Sequence, residues 1–435
     1  MNLTLFTVLF TVFGFLLSGT WIALSLLATA GISLEIFTNM PVGKIWAQAL
    51  WNSLNNWALA ALPMFIFLGE IIMRTRMSEL LFEGLKPWVQ FIPGRLLHIN
   101  VVGSAIFAAV SGSSPATVAT IGKITLNQLD NDGYDKSLSY GSLAGAGTLG
   151  LLIPPSIVLI IYGVLGEVSI GRLFIAGVIP GLLLAALYSG YVAARVIINP
   201  SLAPTDRQSY TWRERLASLW KLFPVCSLIL FILGSIYTGF ATPSEAAALG
   251  VLGGIVVAGL LGDLSFENLF VSIKGTINTS AMICFIIVGA SFLSVAMGYL
   301  HLPATVANYI GSLGLSAYTL ILLFTLFYIV LGFFLDGISM IVMTLPITLP
   351  LAVHSGFDAV WFGIFLVLVI EAGQITPPVG FNLFVLQGLT KEPLEKIVLA
   401  AVPFFLIIIV AIILITAFPK IVLLLPNLMM QMAAG

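Results

Sequence analysis

Apolar positions run through this chain in long blocks, not with the alternation of a half-buried strand. One run extends from Met1 to about Ile32, and further apolar spans are centred near residues 62, 148, 184, 231, 253, 287, 370 and 410. A helix needs about 20 apolar residues to cross a bilayer core of about 30 Å, so each span predicts a membrane-crossing helix. The run from Met1 has no basic residue ahead of it, Lys44 being the first, and therefore reads as a retained helix and not as a cleaved signal. Two more apolar stretches, about 96–128 and 316–353, are interrupted by small polar residues. They predict hairpins that enter the membrane and return. Amphipathic stretches lie near residues 34–50 and 264–275.

The pattern occurs twice. Gly150-Leu-Leu-Ile-Pro154-Pro155 and Gly373-Gln-Ile-Thr-Pro377-Pro378 share the frame G-x-x-x-P-P and stand 223 residues apart. Ser111-Gly-Ser-Ser114 begins 43 residues before the first Pro-Pro pair, and Asp336-Gly-Ile-Ser339 begins 41 before the second. Each half then reads as two spanning helices, a hairpin, a helix broken at Pro-Pro and a closing helix. The first repeat covers residues 1–195 (hairpin about 96–128, broken helix about 138–163), and the second covers 243–435 (hairpin about 316–353, broken helix about 359–388). Residues 196–242 form a basic loop and a connecting helix.

Orientation follows from the positive-inside rule. With the loop from Arg195 to Lys221 in the cytoplasm, 14 of the 17 Lys and Arg residues fall on that side, leaving Lys44, Arg172 and Lys420 outside. The amino terminus is then expected in the cytoplasm and the carboxyl terminus outside. The connecting helix makes the second half start from the opposite side, so the repeats are inverted. Inverted repeats with broken helices are the architecture of secondary transporters with a midplane site. The fold class expected is an all-α polytopic membrane protein of two inverted repeats.

Composition agrees and excludes alternatives. The 435 residues are 60% hydrophobic and 8% charged, against about 25% charged in a soluble domain. A net charge of -1 offers no footprint for nucleic acid. Cys226 and Cys284 lie in apolar stretches and read as buried free thiols. No phosphate loop, zinc-protease or hydrolase motif is present, so ATP-driven pumping lacks its chemistry and no catalytic residue is assigned.

The hairpin tips and Pro-Pro breaks carry the chemistry, because backbone without helical hydrogen bonds is tolerated at membrane depth only inside protein or beside a cavity. Freed oxygens there can bind cations. A first Na+ site is expected from Ser111, Gly112, Ser113, Ser114, Thr148 and Gly150, with Pro115 opening a helix capped by Ser114. A second is expected from Asp336, Gly337, Ser339, Gly373 and Thr376. Substrate contacts are placed at Ser114, Thr117, Pro155, Gln374, Pro378 and Asn382. Ser and Gly at one such tip could serve only as caps and turn residues, but tip and break recur together. Intramembrane carboxylates default to function, which favours Asp336 as a ligand. Glu371 is left open between a functional role and a neutral group bonded to a neighbouring helix. Glu70 is expected to reach headgroups, and Glu245 to close a capping box with Thr242. His98, His301 and His354 are expected at interfaces or in loops, and no metal other than Na+ is proposed. With no Arg or Lys at the bilayer centre, an anionic substrate has to meet bound cations and helix N-termini.

The segments Ser111-Gly-Ser-Ser-Pro-Ala-Thr117, Ala144-Gly-Ala-Gly-Thr-Leu-Gly-Leu-Leu-Ile-Pro-Pro-Ser156, Ala241-Thr-Pro-Ser-Glu-Ala-Ala-Ala248 and Gly373-Gln-Ile-Thr-Pro-Pro-Val-Gly380 together resemble the DctM-type large membrane subunit of TRAP (tripartite ATP-independent periplasmic) transporters. The similarity runs nearly end to end. It implies Na+-coupled uptake of an organic acid, commonly a sialic acid or C4-dicarboxylate, by an elevator motion in a bacterial inner membrane. A transport block of hairpins and broken helices would slide against a scaffold made of each half's first two helices and the amphipathic arms. It also implies two partners, a small four-helix membrane subunit, separate here because the chain starts directly with the large subunit, and a periplasmic substrate-binding protein. Two other readings stand beside it. One is a stand-alone ion-coupled anion carrier. The other is an intramembrane serine protease at Gly112-Ser113-Ser114, for which His98 is the only histidine nearby in sequence.

Overall fold

The computed structural model describes residues 2–204, 210–312, 316–377 and 380–434, and every regular element among them is helical. The first half contains α1 (Asn2–Leu17), α2 (Ile22–Phe37), α3 (Val42–Leu54), α4 (Ala61–Met73), α5 (Met77–Val89), α6 (Leu97–Ser111), α7 (Ser114–Asn131), α8 (Lys136–Gly147), α9 (Leu149–Leu152), α10 (Ile157–Leu165) and α11 (Ile170–Ile198). A connector, α12 (Trp212–Tyr237), leads into the second. There follow α13 (Pro243–Leu260), α14 (Phe266–Tyr299), α15 (Leu302–Ser312), α16 (Ala317–Leu331), α17 (Gly337–His354), α18 (Ala359–Gln374), α19 (Phe381–Thr390), α20 (Leu394–Ala417) and α21 (Lys420–Ala434). The starts of α7 and α17, and of α8 and α18, are 223 residues apart, the same offset as the Pro-Pro pairs. Seven spans among the described residues are long and apolar enough to cross a membrane, or eight if the bent pair of 42–54 and 57–73 counts as one.

Local chemistry sets the boundaries. Gly112 ends α6 in the left-handed region at φ 57°, a conformation that costs glycine little. Thr242 and Glu245 form a reciprocal capping box with Pro243 inside the first turn of α13, and Thr211 with Glu214 does the same for α12. Asp358 caps α18 through the amides of Val360 and Trp361.

Burial separates the helices into two kinds. Every residue of α18 from Val360 to Gln374 is buried, the apolar run up to Ile370 and the polar Glu371 and Gln374 alike, and Trp361 Nε1 donates to the Ile415 carbonyl of α20 at 3.0 Å. Around this centre lie α6 to α11, α16, α17, α19 and α20. The other group joins the halves through α4 on α13 and α2, α3 and α4 on α14. Apolar side chains on the outside, such as Trp220, Leu230, Leu252 and Leu399, face what lipid would fill.

Several local expectations change. The run from Met1 to Ile32 is not one helix: Ser18, Gly19 at φ 79° and Thr20 break it, so α1 and α2 are two shorter helices packed on each other. Stretch 264–275 is no separate arm but lies mostly in the first turns of the continuous α14, whereas in the first half α3 and α4 meet at 57°. The additional helix α21 packs on α11. Both cysteines are only half-buried. His98 is fully buried, its Nε2 2.7 Å from the Pro93 carbonyl, because Arg95 at φ 45° turns the chain and tucks the start of α6 inward.

Candidate functional site

The two hairpin tips and the two breaks meet around one cavity of about 470 Å³. Ser111, Gly112 and Ser113 line it from the first tip, and Asp336 and Gly337 from the second. Leu151 and Ile157 bracket the first break there, and Gln374 and Phe381 the second. The opposite wall belongs to α4 (Ile66, Gly69, Glu70, Met73) and α14 (Thr279, Met282, Ile283).

Helix polarity gives the cavity its electrostatics. The first turns of four helices reach it: Pro115 and Ala116 of α7, Ile157 of α10, Gly337 and Ile338 of α17, and Phe381 of α19. Each N-terminus carries the positive end of its helix dipole, which favours an anion, with Asp336 already accepting from two amides of α17 and Ser156 from one of α10. The C-terminal ends of α6 and α18 supply the opposite polarity through Ser111 and Gln374. Among the described residues lining it there is no Lys, Arg or His.

At the first tip the helix cap is Ser113 and not Ser114, because Ser113 takes the extended backbone (φ -138°, ψ 125°) that precedes a helix and Ser114 is already helical. The Ser111 and Thr117 hydroxyls lie 2.9 Å apart, and Thr117 donates to the Ser113 carbonyl at 2.8 Å. Gly150 lies against the tip, since a Cβ there would stand 2.7 Å from the Ser113 carbonyl oxygen. Pro155, after a cis bond from Pro154, puts its carbonyl 3.1 Å from the Cβ position of Gly112. Thr148 points elsewhere: it donates to the Gly145 carbonyl at 2.6 Å and lies 3.1 Å from the Tyr188 hydroxyl of α11.

At the second tip Asp336 is first a helix cap, accepting from the amides of Ile338 (3.1 Å) and Ser339 (3.4 Å) and from the Ser339 hydroxyl. Gly337 packs on Ile370, and Gly373 packs on Gly332 of the facing hairpin. The Thr376 hydroxyl shares its one proton between the carbonyls of Ala372 and Gly373, both at 2.9 Å. Pro378 lies outside the described residues. Ser114, Thr117 and Asn382 are fully buried and do not line the cavity, and Asn382 Nδ2 donates to Ser114 Oγ at 2.7 Å.

Sequence reasoning missed Glu70 and the α14 face. Glu70, expected to reach headgroups, lines the cavity, with Arg74 one turn on at 2.8 Å and the backbone of Gly275 behind it. The i, i+4 spacing of Glu70 and Arg74 was the available signal.

The profile of the family described as "Tripartite ATP-independent periplasmic transporter, DctM component" matches residues 9–421. The chain belongs to this family. It is 34% identical over 406 residues to the C4-dicarboxylate TRAP transporter large permease protein DctM of Pseudomonas aeruginosa, covering 93% of this chain and 94% of that one. It is 29% identical to the sialic acid TRAP transporter large permease protein SiaM of Vibrio cholerae (95% and 96% covered). Identity to the ectoine/5-hydroxyectoine large permease protein UehC of Ruegeria pomeroyi is 31% (97% and 98% covered). Among solved structures, the Alcanivorax borkumensis YdaH transporter aligns with a TM-score of 0.61 over 86% of this chain and 88% of that one, at 14% identity, a likeness of fold. As a family member the chain is a membrane-embedded transport permease and not an enzyme, which removes the protease reading.

Proposed function

We propose that this chain is the large membrane subunit of a Na+-coupled, binding-protein-dependent secondary transporter that imports an organic acid of the sialic acid or C4-dicarboxylate class. The observation that carries this reading is the convergence of four helix N-termini and two hairpin tips on one cavity without a basic side chain among its described lining. The N-termini favour the substrate's carboxylate, and cotransported Na+ held by tip and break oxygens (Ser111, Gly112, Ser113 and Gly150; Asp336, Gly337, Gly373 and Thr376) supplies the balancing charge. The cavity lies between α4 and α14 on one side and the hairpins and breaks on the other, which suits an elevator in which the second group slides past the first. The excess of Lys and Arg in one set of loops supports a cytoplasmic Arg195–Lys221 loop in a bacterial inner membrane. The partners proposed are a small four-helix membrane subunit and a periplasmic substrate-binding protein.

Purified chain, reconstituted in proteoliposomes with its small subunit and binding protein, should take up labelled organic acid only with an inward Na+ gradient. Full uptake with choline in place of Na+ would overturn the coupling. Normal Na+-driven uptake of free substrate without the binding protein would favour the stand-alone carrier. Ser113→Ala and Thr376→Ala should each weaken Na+ dependence by about 1 kcal/mol, the cost of a lost buried polar contact.

A further inference from the structure

One hydroxyl group joins both halves behind the cavity. Ser114 Oγ, on the first residue of α7, lies 3.0 Å from the Gly147 carbonyl at the end of α8, 3.1 Å from Glu371 Oε2 on α18 and 2.7 Å from Asn382 Nδ2 on α19. Ser114, Glu371 and Asn382 are all fully buried, and none of them lines the cavity. Their neighbours in sequence are the proposed cation ligands. Ser114 follows Ser113, Gly147 stands three residues before Gly150, Glu371 stands two before Gly373, and Asn382 follows the second break.

A buried hydroxyl within hydrogen-bonding distance of three groups has few arrangements: it accepts from Asn382 while its single proton goes to the Gly147 carbonyl or to Glu371, and withdrawing a partner leaves a buried polar group unpaired. A shift of the first tip that moves α7 therefore has to carry α18 and α19 with it, or lose those bonds. We infer that Ser114, Glu371 and Asn382 form a brace through which the two cation sites bind cooperatively, one Na+ ordering the elements that hold the other. The inference rests on the Na+-coupled reading above. Glu371 and Asn382 act in it as positioning residues and touch neither ion nor substrate. Reciprocity follows: whichever site fills first raises the affinity of its partner by the same factor.

The test is the Na+ dependence of uptake and, separately, of protection against thermal unfolding in detergent, which reads cation binding without transport. Wild type should respond sigmoidally in both. Asn382→Ala and Glu371→Ala should respond hyperbolically with half-saturation raised about tenfold, while uptake at saturating Na+ stays near wild type. Glu371→Gln keeps the bridging shape and should remain sigmoidal. Unchanged steepness and half-saturation in the alanine variants would overturn the brace. So would a glutamine variant as impaired as alanine, since that places the effect in the carboxylate's charge. An alanine variant that does not transport is judged by thermal protection, hyperbolic supporting the brace and sigmoidal overturning it. A wild type with no Na+ response in either measurement would sink the Na+ reading itself, and the brace with it, an outcome distinct from a sigmoidal wild type whose alanine variants match it.

Discussion

Glycine decides how closely the breaks approach the hairpin tips. A Cβ on Gly150 would stand 2.7 Å from the Ser113 carbonyl oxygen, and one on Gly332 would stand 2.6 Å from Gly373 Cα, so neither position admits alanine without moving backbone. Gly150→Ala should lower thermal stability by about 1–3 kcal/mol, the usual cost of overpacking, and weaken Na+ dependence of uptake. Gly190→Ala, on the open face of α11 with nothing within 4 Å, should leave transport unchanged and stabilise its helix by up to about 1 kcal/mol. Equal melting temperatures for the two variants would mean that the tip and break are not in contact. The repeat of G-x-x-x-P-P made Gly150 and Gly373 visible in the sequence. Thr148 was no less plausible there, and its hydroxyl turns to Tyr188 because α8 presents that side to α11.

Helix ends are the elements most directly written in the sequence. The Thr242 capping box contains three exposed bonds, Thr242 amide and hydroxyl to the Glu245 carboxylate at 2.8 Å each and Glu245 amide to the Thr242 hydroxyl at 3.4 Å. Thr242→Ala should therefore cost about 1 kcal/mol of stability by thermal unfolding, with Thr242→Ser near wild type. The apolar run of α18 up to Ile370 likewise reads as a spanning helix in the sequence, while its burial on all sides comes from the packing. The break between α1 and α2 was harder to read, because Ser18-Gly19-Thr20 is a short interruption in a run whose hydropathy stays high on both sides. Hydropathy averaged over a membrane thickness does not register three residues.

The molecule as a whole is two packed groups with the cavity between them, and the contact between those groups is close at Gly69. A Cβ there would lie 3.5 Å from Ser111 Cα, so α4 and the first hairpin tip touch in this arrangement. In a background with Cys226 and Cys284 replaced by serine, the Gly69→Cys, Ser111→Cys pair should stop uptake on oxidation and regain its reduced-state rate on reduction. A Gly122→Cys, Leu389→Cys pair, joining α7 to α19 inside the group proposed to move, where the Gly122 Cβ position is 2.9 Å from Leu389 Cδ1, should transport equally in both states. Uptake that survives the first crosslink would reject sliding of one group past the other.

The sequence by itself determined the membrane class, the residue types at the two polar interruptions and the two Pro-Pro frames, and the family resemblance. All of these depend on hydropathy, turn residues and spacing within a few tens of residues. It did not determine which ends would share space. Ser114 meets Glu371 and Asn382 across 257 and 268 residues, and Glu70 lines the cavity opposite the hairpin tips. Those outcomes depend on the packing of many helices at once. A helix's own pattern shows that a face is buried, but the partner on that face is set by the positions of all the other helices, and only the tertiary structure decided it.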